Sequence, residues 1–200
     1  MRDFHVFIEQ QGEQIYVGKI TGSGSEDAVF SYAQEYLDNP SSCPISIHLP
    51  LQAQNFSAEE TRLFFEGLLP EGFTRKCVAG WIHADEYDYL TILAALGREC
   101  LGAIQIIEDG MVVPKAGYQK LTKEDVCRLA KEGASEAAEL VTKAHLSLTG
   151  ASGKVGLYYK IDTNEWYLPV GAAPSTHIVK QSHVRLDGIV TNEQLCLQTA

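Results

Sequence analysis

The sequence predicts an α+β fold in which a small antiparallel sheet with helices is followed by a second antiparallel sheet. Apolar and polar residues alternate near both ends of the 200-residue chain, as they do in half-buried strands. Between these regions apolar residues recur at helical spacing. The composition, with 45% hydrophobic and 21% charged residues, is that of a globular protein.

Charge and hydropathy exclude several classes of protein. Asp and Glu outnumber Lys and Arg by 26 to 16, and the net charge of −10 disfavours direct binding to nucleic acid or anionic membranes. No run approaches the ~20 apolar residues of a membrane span, and the N-terminus lacks the apolar stretch of a secretion signal. We therefore expect a cytoplasmic protein with no membrane partner. The five cysteines form no Cys-x-x-Cys pair, and we expect them to be reduced and mostly buried.

The N-terminal region predicts three strands separated by turns. Its alternating apolar residues are Phe4, Val6 and Ile8, then Ile15, Val17 and Ile20, then Ile45, Ile47 and Leu49. Gln11-Gly12 and residues 22–25 are turn sequences. Residues 30–37 begin with strand character and end at Asp38-Asn39-Pro40.

Three helices are predicted next. Ser57 and Glu60 have the spacing of a capping box, which predicts a helix start. Residues 73–81 and 86–96 follow as second and third helices, and residues 85–88 are expected to form the acidic first turn of the third. The stripe expected to pack in the core consists of Leu63, Phe64, Leu68 and Leu69. Residues 103–107 return to a strand pattern.

Turn and connector residues predict three parts: a subdomain over 1–108, a connector with helices over 109–145, and a last unit over 146–200. Asp109-Gly110 is a strong turn, and Thr122 is placed to cap an acidic helix start. Residues 134–145 are alanine-rich and predict another helix. The last unit predicts strands at 155–161, 166–168 and 176–180, then a helix from Asn192. No stop signal closes this helix, so we expect the natural protein to be longer.

The segment Ser147-Leu148-Thr149-Gly150-Ala151-Ser152-Gly153-Lys154 carries the clearest functional signal. Its glycines let backbone N–H groups approach an anion, and Lys154 adds positive charge. A phosphate loop and a flexible turn are both compatible with this pattern. A Walker A loop is excluded, because Leu148 and Val155 stand where that motif needs Gly and Ser or Thr.

The order of elements favours a nucleotide lobe of the protein-kinase type. There, a glycine loop leads into one strand, and a later strand carries a lysine that reaches the phosphates. Lys180 ends the apolar run Ile178-Val179 and is the candidate lysine, and Glu193 on the next helix is placed to orient it. The alternative is an ordinary solvated lysine at a strand end. The histidines at 48, 83, 177 and 183 show no metal-ligand spacing, and we expect them to be structural.

A longer pattern resembles a known family. Trp166-x-x-Pro169-x-Gly171-x-x-Pro174-Ser175-Thr176-His177-Ile178-Val179-Lys180, followed by Asn192-Glu193-x-x-Cys196, resembles HipA-like toxin kinases. Residues 44–51, 64–72 and 96–103 are similar to the N-terminal subdomain of that family, in the same order. The resemblance implies an N-subdomain followed by an incomplete kinase-like nucleotide lobe.

The resemblance also implies a function. HipA-like proteins are kinases of bacterial type II toxin–antitoxin systems, and they use ATP and magnesium to phosphorylate serine or threonine in translation proteins such as aminoacyl-tRNA synthetases. Residues implied to hold the nucleotide are Thr149, Gly150, Ala151, Ser152, Gly153, Lys154 and Lys180, with Ser147 as a regulatory phosphorylation site. The implied partner is a small HipB-like helix-turn-helix antitoxin, through which operator DNA is contacted indirectly.

Two departures from the family limit what these residues are expected to do. Ser152-Gly153 replaces the usual glutamine of the loop, which leaves ATP binding by this chain alone open and keeps a degenerate pseudokinase as an alternative. The family's catalytic base and metal-binding aspartate match no residue of this chain, so we predict that these 200 residues alone do not catalyse. A non-catalytic module, an antitoxin-like split subunit that restrains a separate kinase, is the second alternative.

Overall fold

A computed structural model describes residues 1–10, 13–97, 103–112, 115–132, 154–171, 173–180 and 188–199. One sheet has the order β3-β2-β1-β4 and consists of β1 (Arg2–Gln10), β2 (Glu13–Gly22), β3 (Val29–Tyr32) and β4 (Ile104–Glu108). The second has the order β5-β7-β6-β8 and consists of β5 (Gly117–Lys120), β6 (Lys154–Lys160), β7 (Glu165–Val170) and β8 (His177–Lys180). The helices are α1 (Gln34–Leu37), α2 (Ala58–Glu66), α3 (Gly72–Trp81), α4 (Tyr89–Leu96), α5 (Lys123–Glu132) and α6 (Ile189–Thr199).

Neighbouring strands pair antiparallel in both sheets, which confirms the predicted α+β class. In the first sheet β1 lies between β2 and β4, and its alternate residues Phe4 and Val6 are fully buried. Helix α4 contributes Leu90 and Leu93 to the same core. The sheet therefore buries one apolar face beneath the helices that join β3 to β4.

The capping box that the sequence predicts is present at the start of α2. The Ser57 hydroxyl accepts a hydrogen bond from the Glu60 N–H, and the Glu60 carboxylate accepts one from the Ser57 N–H. The core stripe was only partly predicted, because Leu63 is 67% exposed and Phe65 is fully buried instead. Phe65 stacks edge-on against Phe30 of β3, which fixes the face that α2 presents to the sheet.

The prediction of a third strand near residues 45–49 is wrong. A single bridge joins Ser46 and Leu49, and Ile47 is 87% exposed. The Tyr32 hydroxyl instead accepts a hydrogen bond from the Ile45 N–H at 3.1 Å and donates to the Leu49 carbonyl at 2.5 Å. Because a side chain satisfies these backbone groups, the segment needs no neighbouring strand.

Two smaller predictions also need correction. The acidic residues at 85–88 precede α4, and Asp88 is its N-cap rather than part of its first turn. The cysteines are not mostly buried: all four in the described residues are free, but Cys43, Cys127 and Cys196 are exposed and Cys77 is half-buried. Cys100 lies outside the described residues. The prediction rested on the average burial of free cysteine in proteins. It failed because the side chain is small and can be exposed to solvent at little cost.

The predicted connector contributes to the second sheet. Gly110 has a φ of +79°, in keeping with the Asp109-Gly110 turn. Strand β5 then pairs with β7, and Thr122 caps α5 through reciprocal hydrogen bonds with Asp125. The helix predicted at residues 134–145 lies outside the described residues. In the ranges that the structure covers, no helix has the length and hydropathy needed to cross a bilayer.

A polar network ties the start of α4 to the first sheet. Arg2 of β1 forms a two-pronged ion pair with Glu108 of β4 and donates to the Thr91 hydroxyl at 3.0 Å. The Asp88 carboxylate accepts hydrogen bonds from the Thr91 hydroxyl at 2.5 Å and from the Ser25 hydroxyl at 2.6 Å. The network thus joins two strands, a helix cap and the loop after β2.

The Asp88 carboxylate should make the fold acid-sensitive. Burial raises the pKa of Asp88, but hydrogen bonds from Ser25 and Thr91 and the nearby Arg2 charge outweigh it, and the net pKa lies below the ordinary value of 3.8. A lowered pKa contributes stability above the unfolded-state value and loses it as pH falls through the folded-state value. We expect Asp88→Asn to be less stable at neutral pH, and the difference to shrink below pH 3.8. Urea unfolding across this range measures it, and a pH-independent difference would contradict the assignment.

Candidate functional site

The register of the second sheet sets two lysines against each other. Lys154, the first residue of β6, is the cross-strand partner of Lys180, the last residue of β8. Side chains of such partners point to the same face with Cβ atoms about 5 Å apart, and like charges there are destabilising. The two lysines therefore form a small cationic patch on the sheet surface, which a bound anion or a nearby carboxylate side chain would stabilise.

Glu193 supplies one such carboxylate. Its side chain on α6 forms an ion pair with the Lys180 ammonium. Both side chains are partly exposed, so the contact is open to solvent. The structure thus brings together the candidate lysine and the glutamate that the sequence paired with it, across the 13 residues that separate them.

The two faces of this sheet differ in their surroundings. Val155 and Leu157 of β6 are buried in the core, together with Leu168 of β7. Because side chains alternate along a strand, Lys154 and Gly156 lie on the opposite face, and cross-strand pairing places Lys180 beside them. The core thus holds the strands in place while the lysines remain on the outer face.

The far end of this face carries charges that neutralise each other. Lys120 of β5 forms an ion pair with Glu165 of β7. The hydrogen bond from Lys120, with others from Thr163 and Tyr167, lowers the pKa of Glu165 to about 2. Tyr118 and Tyr158 lie beside this pair with ring centroids 4.4 Å apart. At the other end of the face, Lys154 and Lys180 lie opposite each other across the strands.

Most of the predicted phosphate loop is not part of the described structure. Thr149, Gly150, Ala151, Ser152 and Gly153, with Ser147, all lie outside the described residues. Lys154 follows this segment directly and begins β6. Among the described residues, no three or more His, Cys, Asp or Glu side chains are grouped so that they could hold a metal ion.

Ser175 also lies at this site, and the sequence motif contains it without indicating a role for it. A Cβ atom at Gly156 would lie 3.1 Å from the Ser175 hydroxyl oxygen, so Ser175 sits over the bare backbone of Gly156. Its neighbour Thr176 is tied to β6 by its N–H, which donates to the Leu157 carbonyl at 2.9 Å. A small residue two positions after Lys154 on the same face is the signal that could have revealed this contact.

An ion pair between a strand lysine and a glutamate on the following helix is the arrangement that protein kinases use to position the lysine. Here it lies at the edge of an antiparallel sheet, next to a glycine-containing segment. In this respect the described sheet resembles the nucleotide lobe of a protein kinase.

Comparisons with known proteins identify the family. A family model described as the HipA N-terminal domain matches residues 10–107. The provisionally named kinase Y4mE of Sinorhizobium fredii is 32% identical over 193 residues, which cover 92% of this chain and 45% of that protein. The serine/threonine-protein kinase toxin HipA of Shewanella oneidensis is 23% identical over 196 residues, which cover 96% of this chain and 43% of that protein. Residues 10–107 of this chain therefore belong to the HipA N-terminal domain family.

A solved structure supports the fold. The complex of HipA, HipB and operator DNA from Shewanella oneidensis contains a chain that matches with a TM-score of 0.65 at 20% identity. The match covers 90% of this chain and 41% of that chain. This chain therefore spans less than half the length of the two kinase relatives and of the solved chain named here.

Proposed function

We propose that this chain provides the N-terminal subdomain and the nucleotide-binding sheet of a HipA-like serine/threonine kinase. The observation that carries this proposal is the cross-strand pair of Lys154 and Lys180, with Glu193 bound to Lys180. The two side chains lie on one face with Cβ atoms about 5 Å apart, so both lysines can contact the same run of phosphates. The glutamate holds one ammonium in place before the ligand arrives.

Each residue has a distinct task in this proposal. Lys154 and Lys180 neutralise phosphate charge, Glu193 orients Lys180, and the backbone of residues 149–153 contributes N–H donors. Magnesium, when bound together with ATP, would supply further positive charge to the phosphates. The catalytic base and the metal-binding aspartate of the family match no residue here, so these 200 residues are proposed to bind ATP without transferring phosphate on their own.

The partners are proposed from the relatives. The similar solved complex contains HipB and operator DNA, which supports a HipB-like helix-turn-helix antitoxin of a type II system as the partner. The net charge of −10 favours DNA contact through that antitoxin rather than directly. A translation protein such as an aminoacyl-tRNA synthetase is the proposed substrate class of the whole kinase, on the basis of the family resemblance.

Removal of the Lys180 ammonium tests the proposed site. Lys180→Ala should weaken binding of Mg·ATP about tenfold to a hundredfold, because charge-assisted hydrogen bonds contribute about 1.5–3 kcal/mol each. Isothermal titration calorimetry measures the dissociation constant. Lys160→Ala is the matched control, since Lys160 lies on the same face of β6 but at its other end, opposite Glu165. Equal affinities of the wild type and Lys180→Ala would contradict the proposal.

A further inference from the structure

Ser175 is placed where it could complete a phosphate site. Its side chain lies against Gly156, with the hydroxyl oxygen 3.1 Å from the position that a Cβ atom would take there. That Cβ direction is the direction of the Lys154 side chain, because the two residues are separated by two positions on one strand. The Ser175 hydroxyl and both lysines therefore share one face of the sheet.

The backbone around Ser175 is held on both sides. The Pro174 carbonyl accepts a hydrogen bond from the Tyr118 hydroxyl at 3.0 Å. The Thr176 N–H donates to the Leu157 carbonyl at 2.9 Å, and the Thr176 hydroxyl accepts from the Tyr159 N–H at 2.9 Å. Strand β6 and Tyr118 of β5 thus fix the position of a residue that lies in a connection between strands.

The hydroxyl itself is free to bind a ligand. Within the ranges that the structure covers, no residue forms a hydrogen bond with the Ser175 side chain, and Ser175 is exposed. Gly156, which Ser175 contacts, lies about 7 Å along β6 from Lys154, at the strand rise of about 3.3 Å per residue. The hydroxyl therefore lies on the same face as Lys154, near the position two residues further along the strand.

We propose that the Ser175 hydroxyl donates a hydrogen bond to the nucleotide phosphates held by Lys154 and Lys180. This inference rests on the proposed function and adds a third, uncharged donor to the site. The ammonium groups attract the phosphates from any direction. A hydroxyl in a fixed position instead favours one orientation of the nucleotide's phosphates. Gly156 leaves room for the Ser175 side chain, because a Cβ atom at Gly156 would lie 3.1 Å from the serine oxygen.

Two substitutions at this contact test the inference by calorimetry with Mg·ATP and with inorganic tripolyphosphate. Ser175→Ala should weaken binding of both ligands about tenfold, since a hydrogen bond to a charged group is lost. Ser175→Thr keeps a hydroxyl and should retain wild-type affinity. Gly156→Ala should weaken both ligands less than Ser175→Ala does, because its methyl group would lie 3.1 Å from the serine oxygen and shift it only slightly. Ser41→Ala, which removes an exposed hydroxyl in the first subdomain, is the control and should bind normally.

The outcomes separate this inference from the function on which it rests. If Lys180→Ala loses affinity and Ser175→Ala does not, the inference is overturned and the lysine site stands. If Ser175→Ala weakens ATP but leaves tripolyphosphate unchanged, a phosphate contact is likewise ruled out. If the wild type binds neither ligand, both the proposed function and the inference fail. Thermal unfolding of every variant checks that a loss of affinity is not a loss of fold.

Discussion

Gly18→Ala is expected to destabilise the chain by about 3 kcal/mol, at the upper end of the range for overpacking substitutions. A Cβ atom at Gly18 would lie 2.1 Å from the Ser31 carbonyl oxygen and 2.9 Å from the Tyr32 Cα. These are backbone atoms of β3, which pairs with Gly18 through Tyr32 and cannot yield without breaking the ladder. The register of β2 also shifts near this point, between Val6 and Phe7 of β1. Glycine is therefore required here for a close approach of two backbones.

Urea unfolding, monitored by circular dichroism, measures this effect. Gly80→Ala is the matched control, because Gly80 lies inside α3 and a Cβ atom there would meet nothing within 4 Å. That variant should be more stable than the wild type by about 0.5–1 kcal/mol, since alanine favours the helix and restricts the unfolded chain. A Gly18→Ala variant as stable as the wild type would show that β2 and β3 do not pack as described.

Phe30→Ala is expected to destabilise the first subdomain by about 3–5 kcal/mol. Phe30 is fully buried, and its ring centroid lies 4.9 Å from that of Tyr32, 5.8 Å from that of Phe56 and 5.4 Å from that of Phe65. Truncation would leave a cavity at the point where β3, the loop after it and α2 meet. Its backbone also bonds the Thr61 hydroxyl and the Phe56 N–H, so relaxation around the cavity would disturb both contacts.

The same unfolding assay tests this prediction. Tyr87→Ala is the control, because it removes an aromatic ring of similar size that is 78% exposed. Exposed substitutions away from special features change stability by about 0.5 kcal/mol or less. If Phe30→Ala and Tyr87→Ala had equal effects, the aromatic cluster would not form the core of this subdomain.

Much of the fold could be predicted because local signals and burial agree. Phe4 and Val6 of β1 follow the strand pattern, and both are fully buried. Ser57 and Glu60 form the reciprocal bonds that their spacing predicts. Such elements need no information from distant parts of the chain, since the capping groups lie three residues apart.

The errors arise where a distant residue decides the outcome. Alternation at 45–49 indicated a strand, but the Tyr32 hydroxyl satisfies the loop instead, and no local pattern reveals that contact. The exposure of Leu63 depends on which face of α2 meets Phe30, and helical spacing alone does not fix that face. Tertiary contacts thus override a correct local period.

Some features of the candidate site could likewise be predicted from the sequence, and others could not. The order of Lys180 and Glu193 in the sequence was enough to predict that they pair. In the structure their side chains form an ion pair. That Lys154 lies opposite Lys180 depends on strand register, and the contact of Ser175 with Gly156 depends on a connection that folds over the sheet. The roles of residues 149–153 and of Ser147 remain predictions, since they lie outside the described residues.

The central claim is that this chain contains a nucleotide site, and a thermal unfolding titration with Mg·ATP tests it most directly. A ligand that binds only the folded state raises its stability, by about 2.7 kcal/mol at a hundredfold excess over the dissociation constant. We predict a saturable rise in Tm for the wild type and its loss in Gly150→Val, where a branched side chain would obstruct the predicted loop. No rise in a folded wild-type chain would contradict the claim and favour a non-catalytic interaction module.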